Sequence, residues 1–320
     1  MWLYILKRLT ASVFVLFLVS VAVFSLFFVG NPGSVAQRFA GEGASVESIA
    51  LMEKTLGLDR PLPVQYFDWL GNLLRLDFGI SFKTQEPVLD SIVTRLPATA
   101  SLAFGAIIVA LLIAIPIGIL AATRAGSWVD KLVSVLALSG LSAPTFLIGL
   151  GLFYVLFFQL SKMGIVAFPS GGYVTFADSP WEWFRHLILP WFTIALVNIG
   201  VYARFVRSTM IDVLQTDYVL FARAKGMGES RIKGLLALKP SLAPLVTLVG
   251  LDLGGLLGGT IITERIWGIS GVGSYTVNGV TSGDLPIVMG TVIIAAVFIV
   301  VMNLLVDVAY AVLDPRVRLR

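Results

Sequence analysis

The sequence predicts an all-α integral membrane protein with six transmembrane helices. Three observations carry that expectation. The chain of 320 residues is 57% hydrophobic and only 13% charged, against about 45–50% and about 25% in an average soluble domain. Its mean hydropathy is +0.92, and several apolar runs reach the roughly 20 residues that a helix needs to cross a bilayer. Its basic residues gather beside those runs, and counted loop by loop they place both the N- and C-termini in the cytoplasm. That clustering accounts for the net charge of +4 and the sequence pI near 9.4 with no nucleic acid as partner. The chain has no cysteine and one histidine, His186. Disulfides, cysteine nucleophiles and thiolate metal sites are thereby excluded, and a histidine-based metal site has too few ligands.

Taken in order, Lys7 and Arg8 precede an apolar run over residues 9–29, which ends at the turn Gly30-Asn31-Pro32-Gly33. The run is too long for a signal-peptide core, so residues 1–30 are expected to be an uncleaved first span. Residues 31–97 form an extracytoplasmic region with short amphipathic helices near 51–58 and 64–76, where Tyr66 and Trp69 fit the water–lipid boundary. Two readings stand for this region: a cap lying on the bundle, or a surface for an external partner. The second span covers residues 98–122 and contains Pro116; the third covers 132–160 and contains Pro144. Interior prolines kink helices and are tolerated in membranes where neighbours satisfy the freed backbone. An external loop at 161–185 carries Trp181 and Trp183, suited to an interfacial belt. Spans follow at 187–206, 242–263 and 286–313, so that 98–313 makes a five-helix core, and 314–320 is a basic cytoplasmic tail. In the fifth span, Gly254 with Gly258 and Gly255 with Gly259 form small-xxx-small pairs that let another helix approach.

The segment 212–240 stands out. Arg204, Arg207, Arg223, Lys225, Arg231, Lys233 and Lys239 face only Asp212, Asp217 and Glu229 across it. This is the strongest positive-inside signal in the chain. Asp217 can cap a helix in which Tyr218, Phe221, Ala222 and Lys225 share a face. Gly226 supplies a left-handed stop, and Ser230 can cap a second helix running towards Pro240. A topology determinant would explain the charges but not two capped, partly apolar helices. The segment reads as a docking face.

No GxxxxGK[ST] phosphate loop occurs in the chain, and no convergent set of acid, base, nucleophile or metal ligands is present. No catalytic residue and no metal site are expected. A self-sufficient secondary transporter would show inverted repeats, interrupted spans and proton-relay acids; only Asp252 is deeply placed. A carboxylate at mid-membrane costs roughly 2.5–3.5 kcal/mol on insertion scales. Asp252 should therefore face a cavity or a polar partner. Asp252 and Asn198 are the candidates for lining a substrate path; for Asp252 the alternative is an interhelical hydrogen bond to a partner chain, or a protonated acid.

Seven segments give the chain a resemblance. They are LGLDRPLPVQY at 56–66, DFGISF at 77–82, RLPATASLAF at 95–104, LSAPTFLIGL at 141–150, DYVLFARAKGM at 217–227, GGTIITERIWGISGVG at 258–273 and NLLVDVAYAVLDPRVR at 303–318. Together they make the sequence similar, over nearly its whole length, to the permease subunits of binding-protein-dependent ABC importers for dipeptides, oligopeptides and nickel. The first, B-type, permease of the pair is the best match. The general importer motif ends in Leu-Pro, whereas here Leu238 precedes Lys239, a departure shared by the peptide branch. The resemblance implies a type I ABC importer permease fold in a bacterial or archaeal plasma membrane, working by alternating access. It implies four kinds of partner: a second homologous permease, two ATP-binding subunits, an extracytoplasmic substrate-binding protein and the lipid bilayer. It implies no cofactor in this chain, with ATP and Mg held by the ATPase subunits. Asp217, Tyr218, Phe221, Ala222, Arg223, Ala224, Lys225 and Gly226 would then form the coupling helix, with Tyr218, Phe221 and Ala222 filling a groove and Arg223 and Lys225 pairing at its rim. Glu264, Arg265 and Trp267 would meet the binding protein. Cargo stays open between peptides, nickel and other small solutes; for a peptide, Asp252 would attract the terminal ammonium.

Overall fold

The computed structural model describes residues 2–28, 35–37, 40–41, 43–55, 57–142, 144–165 and 167–313. The turn expected at 30–33 and the basic tail 314–320 lie outside the described residues. Helix α1 covers Trp2–Phe28, and short α2 (Val46–Thr55) and α3 (Leu62–Leu74) follow. Next come α4 (Val88–Thr123), α5 (Trp128–Ser142), α6 (Thr145–Leu152, continued by a wide-turned stretch to Lys162) and α7 (Pro180–Leu214). The remainder is α8 (Asp217–Ala224), α9 (Leu238–Leu257), α10 (Ile261–Ile266), α11 (Val272–Ser282) and α12 (Leu285–Leu313). Among the described residues six helical segments are long and apolar enough to cross a membrane.

The spans sit close to their expected places, with three differences. Two helices start earlier than their apolar runs. Ser179 accepts a hydrogen bond from the Glu182 backbone N–H at 3.3 Å and Pro180 takes the first helical position, so α7 begins at 180; this is an N-cap with a favourable proline behind it. Helix α4 likewise begins at Val88, behind Pro87. The third span is broken. Pro144 is extended (φ −60°, ψ 134°) and opens α6, because a proline ring clashes with the preceding helical turn. The fifth span stops at Leu257, and Gly259 turns at φ +133° before α10 begins.

Helices α4 and α7 form the centre of the bundle and run parallel. At Gly105 an added Cβ would fall 2.0 Å from the Trp191 ring, and at Gly118 it would fall 2.7 Å from the Ala203 carbonyl oxygen. The contact is therefore set by the absence of side chains at two points one above the other. Ala103, Ile107, Ala110, Ala114 and Ala121 line the buried stripe of α4 and meet Ala195, Tyr202, Ala203 and Val206 of α7. Helices α5 and α6 run back along α7, with Gly200 against Ala137 and Gly149 against Thr193. Helix α9 pairs with α12 through Gly250 against Val306, Gly254 against Ile299 and Met302, and Gly258 against Ala295. Of the two expected glycine pairs, Gly254 and Gly258 make a helix contact; Gly255 faces open space. Helix α1 packs chiefly on α12, and Arg8 bonds Asp307 at 3.1 Å. The end of the bundle carrying α8 is called lower here, and the end carrying α10 and α11 upper.

Candidate functional site

The lower site begins where α7 ends. Thr216 is the N-cap position of α8, and its hydroxyl donates to the Val213 carbonyl instead of capping. Asp217 is thus the first helical residue, one position inside its expected cap, and its carboxylate still lies in the first turn, where the helix dipole favours it. The other end is as the sequence dictates. Gly226 adopts φ +80°, its N–H bonds the Arg223 carbonyl at 3.0 Å, and the Met227 N–H bonds the Ala222 carbonyl at 3.1 Å. This is the paired C-terminal closure that a left-handed glycine permits.

Beyond it the expectation of a separate second helix fails. Gly228, and not Ser230, precedes the helical residues Glu229–Arg231, which pass through a π-helical stretch Ile232–Ala237 straight into α9. This part of the segment is therefore the root of a span. Val219 and Ala222 are buried on the inward face of α8, with Ile232 and Ala237 also buried below the span. Ala237 packs with Ala122 of α4 and Met210 of α7. Ala222 supports the face from behind and does not itself project. Tyr218, Leu220, Phe221 and Leu235 are the exposed large apolar side chains. Leu220 and Leu235 were missed because neither falls on the strip that helical spacing picks out from Tyr218 and Phe221.

Two of the basic residues are tied within the chain. The Arg223 Nε donates to Glu229 Oε1 at 2.6 Å, which fastens α8 to the next turn. The same hydrogen bond raises the Arg223 guanidinium above its ordinary value. Lys225 Nζ lies 4.5 Å from the centre of the Phe221 ring. Asp217, Ala224 and Gly226 are exposed. Behind this face Arg207 of α7 holds Asp130 of α5 through two hydrogen bonds, one of them 2.7 Å from Nη2, so α5 and α7 are joined at their lower ends.

Within the bundle, the buried Tyr202 hydroxyl donates to Asp252 Oδ2 at 2.6 Å. The costly carboxylate thus has an interhelical partner in its own chain. Asp252 stays partly exposed. Asn198 is one turn before Tyr202 on α7 and bonds the Ile194 carbonyl at 3.4 Å, which puts the two candidate path residues beside the same face of α7.

At the upper end the three residues expected to meet an external protein part company. Arg265 is exposed and donates to Asn278 Oδ1 at 2.8 Å. Glu264 and Trp267 are buried. Trp267 Nε1 donates to Thr193 Oγ1 at 3.0 Å, and its carbonyl accepts the Gly172 N–H at 2.8 Å. Neither side chain offers a surface to a partner, because both are used to pack α10 onto the bundle.

Comparison with known proteins closes the identification. Residues 114–319 match the family described as binding-protein-dependent transport system inner membrane component, and residues 1–103 match the N-terminal family of such membrane components. A protein of Brucella abortus (strain 2308) named as a peptide transport system permease is 39% identical over 314 residues, covering 98% of each chain. The glutathione transport system permease protein of Salmonella typhimurium is 37% identical over 315 residues, again 98% of each. A protein of Escherichia coli K12 named as a D,D-dipeptide transport system permease is 36% identical over 307 residues, 89% of each. With six membrane-length helices and a family match over most of its length, this chain is a multi-pass membrane protein and belongs to the binding-protein-dependent transport system inner membrane components.

Proposed function

We propose that the chain is a permease subunit of an importer for di- or oligopeptides, forming half of a translocation path with a second permease. The observation that carries the reading is the lower face. Tyr218, Leu220 and Phe221 stand exposed on α8, which joins α7 by a two-residue link, and Leu235 stands exposed on the helical stretch that runs without a break into α9. An apolar helix face of this kind suits a groove on a partner, and the partners proposed here are two ATP-binding subunits that hold ATP and Mg. An extracytoplasmic binding protein delivers cargo at the upper end, where Arg265 is the surface residue of the original three. In this orientation both chain ends are cytoplasmic.

Movement of the docked α8 would swing α7 and α9 together and switch the opening of the path, as in rigid-body alternating access. Asp252, oriented by Tyr202, and Asn198 line that path and favour a cationic amino terminus. Peptide-transport names among the relatives support this cargo class. Co-purification tests the assembly: the tagged chain should bring down a second permease and ATPase subunits, and a Phe221→Asp variant should lose the ATPases alone. Recovery of the chain by itself from an active membrane would refute the reading.

A further inference from the structure

The upper end contains a carboxylate that the transport reading above does not employ. Glu264 is fully buried. Its Oε1 accepts from Thr99 Oγ1 at 2.8 Å and from Thr260 Oγ1 at 3.3 Å, and its Oε2 accepts the Ser274 backbone N–H at 2.6 Å. Thr99 Oγ1 in turn accepts the Val272 N–H at 2.8 Å. One side chain therefore joins α10, the first turn of α11 and the upper part of α4. The backbone is shaped around it: an added Cβ on Gly271 would lie 2.4 Å from the Glu264 carboxyl, and one on Gly273 3.1 Å from it. Two of the segments singled out in the sequence, 95–104 and 258–273, meet at this point. A buried carboxylate supported by neutral donors is costly unless fully hydrogen-bonded, and here both oxygens are used.

The far end of α11 is fastened by a second buried carboxyl group, through one of its oxygens. Asp284 is buried, and its Oδ2 accepts from Ser81 Oγ at 2.6 Å and from the Lys83 N–H at 3.2 Å. These ties add to apolar packing at the same place, where Trp267 and Ile269 lie against Ala98 and Leu102 of α4, and Val272 and Tyr275 against Val88 and Ile92. With them, the upper cap is part of α4. Helix α4 continues about 35 Å from Thr99 to Ala122 at 1.5 Å per residue, interlocked with α7 at Gly105 and Gly118. At its foot Ala122 touches Met210 and Ala237, beside the docking segment.

Resting on the transport reading above, we propose that Glu264 is a positioning residue of the transport cycle. Its carboxylate makes the upper cap and the α4–α7 pair one body, so that displacement of α8 moves the upper mouth of the path. The cap is thus carried by the shaft and is not a lid that swings on its own glycines.

The test uses the whole complex, reconstituted in vesicles with its receptor and ATPase subunits, and reads peptide taken up per ATP hydrolysed. Two variants are compared with the wild type, Glu264→Gln and Thr99→Val. Each should assemble and keep ATP turnover within about threefold, while uptake per ATP falls by about tenfold or more, a coupling loss of ordinary allosteric size. An unchanged ratio in an assembled variant overturns the proposal. If only one variant assembles, its ratio decides. If neither assembles, the cluster is a folding element and the proposal is overturned as well. Absence of peptide uptake by the wild-type complex would sink the transport reading, and this inference with it; that failure is seen without any variant.

Discussion

Replacing Gly226 separates two demands that the lower face makes on one residue. The glycine has φ +80°, and a Cβ added to it would meet nothing within 4 Å in this chain. Gly226→Val therefore introduces backbone strain without a clash. A side chain in the left-handed region costs roughly 1–2 kcal/mol, which at about 1.4 kcal/mol per decade is roughly a 5- to 30-fold shift against the closed turn. Gly226→Asn adds a side chain of similar bulk, but asparagine tolerates this conformation far better. If the turn is what the docking face needs, valine should lower peptide uptake by about that factor and asparagine should restore it to within about twofold. Both variants should remain in the membrane at wild-type abundance, because the strain is confined to the end of α8. Uptake in vesicles and pull-down of ATPase subunits read the result. Equal impairment by valine and asparagine in an intact complex would refute the argument from backbone shape and point to space kept clear for a partner. Wild-type uptake by the valine variant would refute the docking role itself.

Three further outcomes are expected. Phe221→Ala removes the most exposed ring of α8 and should weaken ATPase retention by about 2 kcal/mol or more, the loss usual for a central aromatic anchor; a pull-down titration checks it, with permease abundance unchanged. Asp252→Asn should reduce uptake of peptides with a charged amino terminus relative to blocked ones, and Tyr202→Phe should show part of the same change; a ratio that stays at its wild-type value in both would remove Asp252 from the path. Gly105→Val should lower thermal stability in detergent by at least the roughly 1–3 kcal/mol typical of overpacking, whereas Gly255→Ala, where the space is open, should leave the melting midpoint in place.

What could be read from residues alone divides along the range of the interactions. Spans were legible because apolar length is a local property, and the closure at Gly226 was legible because a left-handed turn needs only its own residues. The early start of α7 was also written locally, in Ser179, Pro180 and Glu182, but an apolar run draws attention away from a cap that lies eight positions before it. The break at Pro144 was ambiguous, since membranes accept prolines within helices when neighbours compensate. Helical spacing showed that α8 has an apolar side but could not say that Ala222 faces inward and Leu220 outward, because that depends on what lies beneath. Glu264 was the least legible. A charged pair at the end of a span reads as surface, and it takes partners such as Thr99, 165 positions away, to make Glu264 an interior residue.

The pairing of α1 with α12 has a consequence for how the chain is made. Helix α1 is synthesised before the other described spans, and its principal neighbour, α12, after them. Until then α1 waits in lipid, and the Arg8–Asp307 bond is one of the final contacts of biogenesis. Premature termination before residue 285 would thus strand an otherwise inserted helix, and a quality-control protease that recognises unaccompanied spans would find its substrate at the opposite end of the chain from the defect.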